Sequence, residues 1–270
     1  MYNIHNLTKI FGKNLIAVKN ISIKIERGEK VALIGPSGAG KTTLFRLFNC
    51  TLRPSSGELW VNGQNVLNLT EGELRRVRAK IGTVYQQHNL VPGLRVIHNV
   101  LAGNLGRWSL IKSFWSLISP REIDTAFGAL RRVGIPEKLY TRTNELSGGQ
   151  QQRVAIARVL VQDPEVILAD EPVSSLDPPL ARSLIQLLVQ IAEEGGKTLL
   201  VNLHTMHLAM EHFPRIIGFR EGTVLFDSPP EEVSEEMLKE LYAGTPSLEA
   251  MEREEERDLS RSLWQYRYRS

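Results

Sequence analysis

A glycine-rich stretch at residues 35–43, GPSGAGKTT, carries a lysine and hydroxyl side chains at the spacing G-x-x-x-x-G-K-[ST]. Glycine lets the backbone curl so that successive N–H groups point at phosphate oxygens, and a helix beginning near Lys41 adds the positive end of its dipole. Lys41 would reach the terminal phosphates. A glycine-rich turn that matched this pattern by accident would not need to follow a buried strand or to precede a helix. The sequence predicts both of these elements. We therefore predict a nucleotide site formed by Gly35, Pro36, Ser37, Gly38, Ala39, Gly40, Lys41, Thr42 and Thr43.

Two acidic residues close a second apolar run, VILADE at residues 166–171. Ligands of open α/β sheets bind at the carboxyl ends of the strands, so we expect Asp170 to lie beside the phosphate loop. There Asp170 would hold Mg²⁺ through a water molecule, with the Thr42 hydroxyl on the same ion. Glu171 would orient an attacking water. The alternative interpretation is a helix N-terminus that carries two acids.

A second possible phosphate cradle, LSGGQ at residues 146–150, lies directly ahead of a helical pattern. Ser147 can cap the helix, while Gly148 and Gly149 let its first N–H groups approach an anion. The helix is predicted to be anchored to its own subdomain by an apolar stripe of Val154, Ala157 and Val161.

Short apolar runs separated by helical patterns predict a parallel α/β sheet. The runs KVALIG, EVILAD and TLLVNLH are typical of strands buried on both faces. Near the N-terminus, YNIHNLTKI and IAVKNISIKI alternate as half-buried antiparallel strands do. Hairpin turns are predicted at Asn62-Gly63 and Glu221-Gly222.

The patterns from about residue 87 to 162 are helical, without a convincing buried strand. We therefore predict one domain over residues 2–243. Its α/β core would comprise residues 2–86 and 163–243, with a helical subdomain inserted at about 87–162 and a charged tail at 244–270.

The composition, 42% hydrophobic and 23% charged among 270 residues, is that of an ordinary globular protein. Its 33 basic and 30 acidic residues do not demand a nucleic-acid partner. The single cysteine, Cys50, excludes an internal disulfide and lies among apolar residues, which predicts a buried, unreactive thiol. The chain shows neither an apolar signal core nor the roughly 18 apolar residues of a membrane span. We expect an intracellular protein that meets a membrane only through a partner.

In their order along the chain, these motifs resemble those of the ATP-binding cassette ATPases from residue 2 to about 243. The resemblance implies a P-loop NTPase fold with a RecA-like parallel-sheet core, an antiparallel β subdomain and an inserted helical subdomain. LSGGQ corresponds to the signature motif of the family. Two copies would therefore bind ATP and Mg²⁺ head to tail, each phosphate loop facing the partner's signature residues, Ser147, Gly148, Gly149 and Gln150.

The resemblance also assigns roles to residues in shorter motifs. Phe11 stands where the family stacks an aromatic on adenine, with core packing as the alternative. Gln86 corresponds to the glutamine that contacts Mg²⁺ and the water and begins the segment that faces the membrane partner, while Asp177 belongs to the loop that crosses the dimer interface. The resemblance assigns catalysis to Lys41, Gln86, Glu171 and the switch histidine, His204. Surface positions are expected for two further histidines, His207 and His212.

A cassette of this size without a membrane span resembles the ATPase subunit of an importer, and VYQQHNLVPGLRVIHNVLAGNLGR most resembles the phosphonate-type importers. The resemblance implies integral-membrane permease subunits, a periplasmic or extracellular substrate-binding protein, and a peripheral location on the cytoplasmic face of the inner membrane. One alternative is an exporter or lipoprotein-release ATPase. Another is a non-transport cassette ATPase acting on nucleic acid or ribosomes. A small-molecule kinase would share the phosphate loop but would not use LSGGQ.

Two segments of the sequence have more than one interpretation. The aromatic-rich stretch at residues 106–119 would anchor the permease, contact lipid or pack in the core. The tail at residues 244–270 is either a solvated helix face or a regulatory contact made by Trp264, Tyr266 and Tyr268.

Overall fold

The computed structural model describes residues 1–12, 14–109 and 122–244, which form two β-sheets and a set of packed helices. The strands are β1 (Tyr2–Phe11), β2 (Leu15–Ile25), β3 (Lys30–Ile34), β4 (Ser56–Val61), β5 (Gln64–Asn65), β6 (Ile81–Val84), β7 (Val166–Asp170), β8 (Thr198–Asn202), β9 (Arg215–Arg220) and β10 (Thr223–Ser228). The helices are α1 (Lys41–Phe48), α2 (Glu71–Ala79), α3 (Val96–Leu101), α4 (Ile123–Arg132), α5 (Gly148–Gln162), α6 (Pro178–Glu194), α7 (Met206–His212) and α8 (Glu235–Leu241).

The six-stranded sheet has the order β10-β9-β3-β8-β7-β6 and carries the site residues on its strand ends. All its pairs are parallel except β9–β10 at one edge. Strands β3, β7 and β8 are buried over almost their whole length because helices cover both faces, as their continuous apolar runs predict. The predicted parallel α/β core is confirmed.

The four-stranded sheet is antiparallel, in the order β2-β1-β4-β5. Its β4–β5 hairpin turns at Asn62 and Gly63, with φ of 51° and 76°. The β9–β10 hairpin of the other sheet turns at Glu221 and Gly222, with φ of 49° and 80°. Positive φ at both central residues matches the twist of the flanking strands, so both predicted turns are confirmed.

The described residues between β6 and β7 form helices, which places a helical segment between two strands of the parallel sheet. One hydrophobic cluster nevertheless spans this segment and the sheet, since it joins Ile34 and Val84 of the strands to Val100, Leu130 and Val154 of the helices. The predicted boundaries of a separate helical subdomain stay a prediction.

A second hydrophobic cluster joins α1, one face of the parallel sheet and the antiparallel sheet. Cys50 lies in it with 1% of its surface exposed, and burial raises the pKa of its thiol to about 12. Within the residues that the structure describes, no helix has both the length and the apolar character that crossing a bilayer requires.

Cys50 is expected to react with a thiol reagent such as DTNB about a thousandfold more slowly at pH 8 than a free thiol, because only the thiolate attacks. The measurement is the labelling rate of the native chain. Guanidinium provides the control, since the unfolded chain should react at the rate of a small thiol. Fast labelling of the native protein would contradict the burial of this side chain.

Candidate functional site

The phosphate loop connects β3 to α1, and Lys41 is the first residue of the helix, as predicted. Its Nζ donates to the carbonyl oxygens of Gly35 and Pro36, at 2.5 and 2.9 Å. Burial lowers the pKa of Lys41 to about 8, although the nearby carboxylates of Glu171 and Asp170 act in the opposite direction. A phosphate bound in the loop would favour the protonated, charged form of Lys41. The loop therefore places a cation beside the position where the phosphate is expected.

Two glycines of the loop are required by close backbone contacts. Gly35 has φ of 148°, and a Cβ there would lie 2.0 Å from the carbonyl oxygen of Phe219. Gly40 has φ of 103°, and a Cβ there would lie 2.1 Å from the carbonyl oxygen of Ala17. Any larger residue would push the loop away from β9 or β2. These glycines therefore fix the position of the loop in addition to letting it curl.

Two of the three predicted metal residues, Thr42 and Asp170, lie together at the carboxyl end of the sheet. The Thr42 Oγ1 lies 3.4 Å from Asp170 Oδ1, and Asn202 Nδ2 donates to the same carboxylate oxygen at 2.7 Å. Burial raises the pKa of Asp170, while the hydrogen bonds from Asn202 and Thr42 lower it. Among the described residues, no group of three or more His, Cys, Asp or Glu side chains forms a metal cage. One hydroxyl and one carboxylate fit Mg²⁺, which takes few protein oxygens when phosphates supply others.

Glu171 and His204 form a close pair in this site. His204 Nε2 lies 2.6 Å from Glu171 Oε1, and both side chains are partly exposed. Glu171 has φ of 50°, a left-handed conformation that a non-glycine residue adopts at a steric cost. Its backbone N–H donates to the carbonyl oxygen of Asn202 at 3.2 Å, which holds this conformation at the end of the strand. The carboxylate contacts His204 in the loop after β8.

The predicted signature residues begin α5. The Ser147 hydroxyl accepts a hydrogen bond from Gln150 N at 3.4 Å, and Gln150 Oε1 accepts one from Ser147 N at 3.1 Å, which completes a capping box. A Cβ on Gly149 would lie 2.6 Å from Leu180 Cδ2, whereas Gly148 is exposed and open. Within the described part of the chain, no hydrogen bond joins residues 147–150 to the phosphate loop. Their predicted role toward a partner chain stays a prediction.

Three other predicted residues lie at or just beyond the ends of secondary-structure elements. Phe11 is half-buried at the end of β1, and Lys9 Nζ lies 5.3 Å from its ring centroid. Gln86 is exposed just after β6, and Asp177 is exposed at the start of α6 without capping it through its side chain. Their roles stay predictions. The expected surface position of His212 is wrong, because only 11% of its side chain is exposed.

Sequence reasoning missed two polar residues, one that contacts a predicted site residue and one that contacts the segment after Gln86. Asn202 contacts Asp170, and its only sequence signal is a polar residue closing the apolar run TLLVN. Arg158 of α5 donates to the carbonyl oxygens of Asn89 and His88, at 2.6 and 3.0 Å. It thereby fastens the segment after Gln86 to the helix that begins at the signature residues.

The aromatic-rich stretch lies only partly within the described residues. Trp108 packs against the larger hydrophobic cluster, which favours core packing for this residue. Residues 110–121 and 245–270, including the other aromatics of the stretch and the tail, lie outside the described residues.

Comparisons with known proteins agree on one family. A family model described as ABC transporter matches residues 18–174. The phosphonates import ATP-binding protein PhnC of Pseudomonas fluorescens is 48% identical over 228 residues, covering 84% of this chain and 86% of that protein. The protein of the same name from Wolinella succinogenes is 44% identical over 242 residues, covering 90% of this chain and 88% of that protein.

Solved structures give the same result for the fold. The ATP-binding cassette MJ0796, in a dimeric post-hydrolysis state bound to ADP and Pi, has a TM-score of 0.75 and 33% identity, covering 85% of this chain and 99% of that one. The cbiO1 protein of Clostridium perfringens is part of the ABC transporter complex cbiONQ. It has a TM-score of 0.75 and 30% identity, and the match covers 88% of this chain and 92% of that one.

Proposed function

Because the chain belongs to the ABC transporter family, we propose that it is the ATP-hydrolysing subunit of an importer for phosphonates or related phosphorus oxyanions such as phosphite. The observation that carries the ATPase assignment is the meeting of Lys41, Thr42, Asp170 and the Glu171–His204 pair at one sheet edge. The cargo assignment is supported by the names of the similar import proteins.

The side chains divide the chemistry of phosphoryl transfer to water among them. Lys41 and the loop N–H groups neutralise charge on the terminal phosphates. Glu171 accepts a proton from the attacking water or orients it, and His204 holds the Glu171 carboxylate in place. Mg²⁺, when bound with ATP, offsets phosphate charge, and Thr42, Asp170 and Gln86 are the residues that would hold it.

A second copy of the chain would complete each site. The exposed N-terminus of α5 offers Ser147 and Gly148 to an anion outside its own chain. A two-fold, head-to-tail pair places two such ends over two phosphate loops and closes on itself. The similarity to a dimeric cassette supports this arrangement.

The permease subunits would dock in a basic groove of about 360 Å³ between the parallel sheet and the helical segment. Tyr85 and Asn89, on either side of Gln86, line this groove. A docked partner would therefore touch the segment that Arg158 ties to α5, which links the permease to both predicted halves of the ATP site. We call it the arginine groove, because four of its lining residues are cationic and none is acidic: Arg75, Arg78, Arg107 and Arg158.

Arg75→Glu is expected to weaken co-purification with the permease about tenfold or more, because it reverses a charge in the groove. Arg75 is exposed and forms no ion pair within the described residues, so the fold should tolerate the change. Arg76→Glu is the matched control, since it lies exposed on the same helix outside the groove lining. Equal recovery of permease by both variants would contradict docking in this groove.

The location follows from the partners. Bound to permease subunits, the chain would lie on the cytoplasmic face of the inner membrane, where ATP is available. A periplasmic or extracellular substrate-binding protein would deliver the cargo to the other side of the permease.

Affinity purification tests the proposed function. A tagged Glu171→Gln chain is isolated from native membranes with ATP and Mg²⁺ present, and the co-purifying proteins are identified. Two copies with a membrane-spanning pair are expected. ATP hydrolysis by the wild-type complex in liposomes should then rise when a phosphonate and its binding protein are added.

Two results would point to the alternatives. Permease partners without any response to phosphonate or phosphite would favour an exporter or lipoprotein-release ATPase. Ribosomes or nucleic acid in place of membrane proteins would favour a non-transport cassette.

A further inference from the structure

Asn202 is a buried polar residue that follows three apolar residues at the end of a strand. It closes β8, whose other members are Thr198, Leu199, Leu200 and Val201, and none of its surface is exposed. Buried amides are retained in such positions only when they have partners or a task, because an apolar side chain would avoid the loss of hydration.

The register of the parallel strands β7 and β8 places Asn202 beside Asp170, a predicted metal residue. Asp170 is its direct neighbour across the β7–β8 pair, two residues beyond the pair of Leu168 and Leu200. These two leucines belong to the cluster that contains α1, so Asn202 and Asp170 face the helix that carries Thr42.

The hydrogen bond fixes the orientation of both side chains. Asn202 Nδ2 donates to Asp170 Oδ1 at 2.7 Å, and an ionised carboxylate only accepts, so the amide nitrogen must face it. Asn202 Oδ1 is buried and has no hydrogen-bond partner within the described residues. The Asn202 amide therefore forms its hydrogen bond through the nitrogen, which holds the Asp170 carboxylate, and its buried oxygen forms none within the described residues.

We propose that Asn202 is a positioning residue for Asp170, which it holds with one oxygen occupied so that the carboxylate is presented toward Thr42 and the metal–nucleotide complex. The inference rests on the ATPase part of the proposed function and is independent of the cargo. Partners that orient a metal ligand through a hydrogen bond commonly change metal affinity 10- to 100-fold when they are removed.

Asn202→Leu keeps the branched shape of the side chain and removes the donor. The measurement is Mn²⁺ binding, followed by electron paramagnetic resonance with a non-hydrolysable ATP analogue present. We expect Mn²⁺ affinity to fall about tenfold or more. Binding of the analogue in EDTA should change less than about twofold, because the phosphate loop is untouched. If the leucine chain does not fold, Asn202→Ala serves in its place with the same expectation.

Thr198→Val is the matched control at the opposite end of β8. Thr198 is as buried as Asn202, and its hydroxyl accepts from Gly28 N and donates to Glu26 O. This variant should lower the melting temperature without changing Mn²⁺ affinity. In the Asp170→Asn background, Asn202→Leu should have no further effect on the metal.

Three results would overturn the inference. The first is unchanged Mn²⁺ affinity in both folded Asn202 variants, which would leave the residue a structural role only. The second is an equal loss in the Thr198 control. The third is absence of Mn²⁺ binding by the wild-type chain with nucleotide. None of them depends on a permease or a phosphonate, so they are separable from failure of the importer assignment.

Discussion

Replacing Glu171 with glutamine is expected to slow ATP hydrolysis by about 10²- to 10⁴-fold while leaving ATP binding nearly unchanged. The amide cannot accept a proton from water, but it keeps an oxygen that can accept the 2.6 Å hydrogen bond from His204. Steady-state phosphate release and equilibrium binding of ATP provide the two measurements. With hydrolysis blocked, the ATP-bound dimer should also accumulate in gel filtration.

Glu221→Gln is the control for this prediction. Glu221 has nearly the same backbone conformation, with φ of 49°, but its side chain is 80% exposed in the β9–β10 turn. Loss of a carboxylate there should leave turnover within about twofold of wild type, because exposed ion pairs contribute little. Near-normal turnover in the Glu171 variant would falsify its role in activating water.

Gly148→Asp is expected to reduce ATP hydrolysis by at least about 10²-fold without destabilising the fold. A Cβ on Gly148 meets no atom within 4 Å, and a carboxylate in the first turn of α5 interacts favourably with the helix dipole. The same carboxylate would repel the γ-phosphate held by the partner chain. Activity and melting temperature should therefore change independently, which is the result to measure.

Gly72→Asp is a matched control, because Gly72 is an exposed glycine in the first turn of α2 with open space around its Cα. It should keep full activity. Loss of activity in both variants would show that added charge, and not the signature position, is responsible.

Mixing two inactive chains tests the composite site directly. A Gly148→Asp chain keeps its phosphate loop, and a Lys41→Ala chain keeps its signature residues. In an equal mixture, half of the dimers are mixed and each has one intact site, so about a quarter of the wild-type activity should return. No recovery, with mixed dimers demonstrated by two tags, would contradict sites shared between chains.

The phosphate loop, the hairpin turns and the helix cap at Ser147 could be predicted from sequence alone, because each depends on residues that are consecutive or nearly so. Lys41 follows the glycines that position it, and the Asn62-Gly63 and Glu221-Gly222 pairs adopt their positive φ locally. The apolar runs likewise predicted buried parallel strands, since covering both faces of a sheet requires them. The family resemblance rested on these same local motifs.

The pairing of side chains across the sheet was decided only by the tertiary structure. Glu171 and His204 are 33 residues apart, and Asn202 and Asp170 are 32 apart. Which of them meet depends on strand order and register, and a shift of one residue would turn Asn202 to the opposite face. No local pattern contains that information.

The arginine groove likewise could not be predicted from a local sequence pattern. Two of its arginines, Arg75 and Arg78, lie on α2, and the others, Arg107 and Arg158, lie far along the chain, so as single residues they look like ordinary surface cations. Helix packing against β6 brings them to one concave surface whose lining contains no acidic residue. The sequence alone determined the chemistry of the nucleotide loop. Folding decided which residues support that chemistry and which surface is available to a partner, because both depend on contacts between distant parts of the chain.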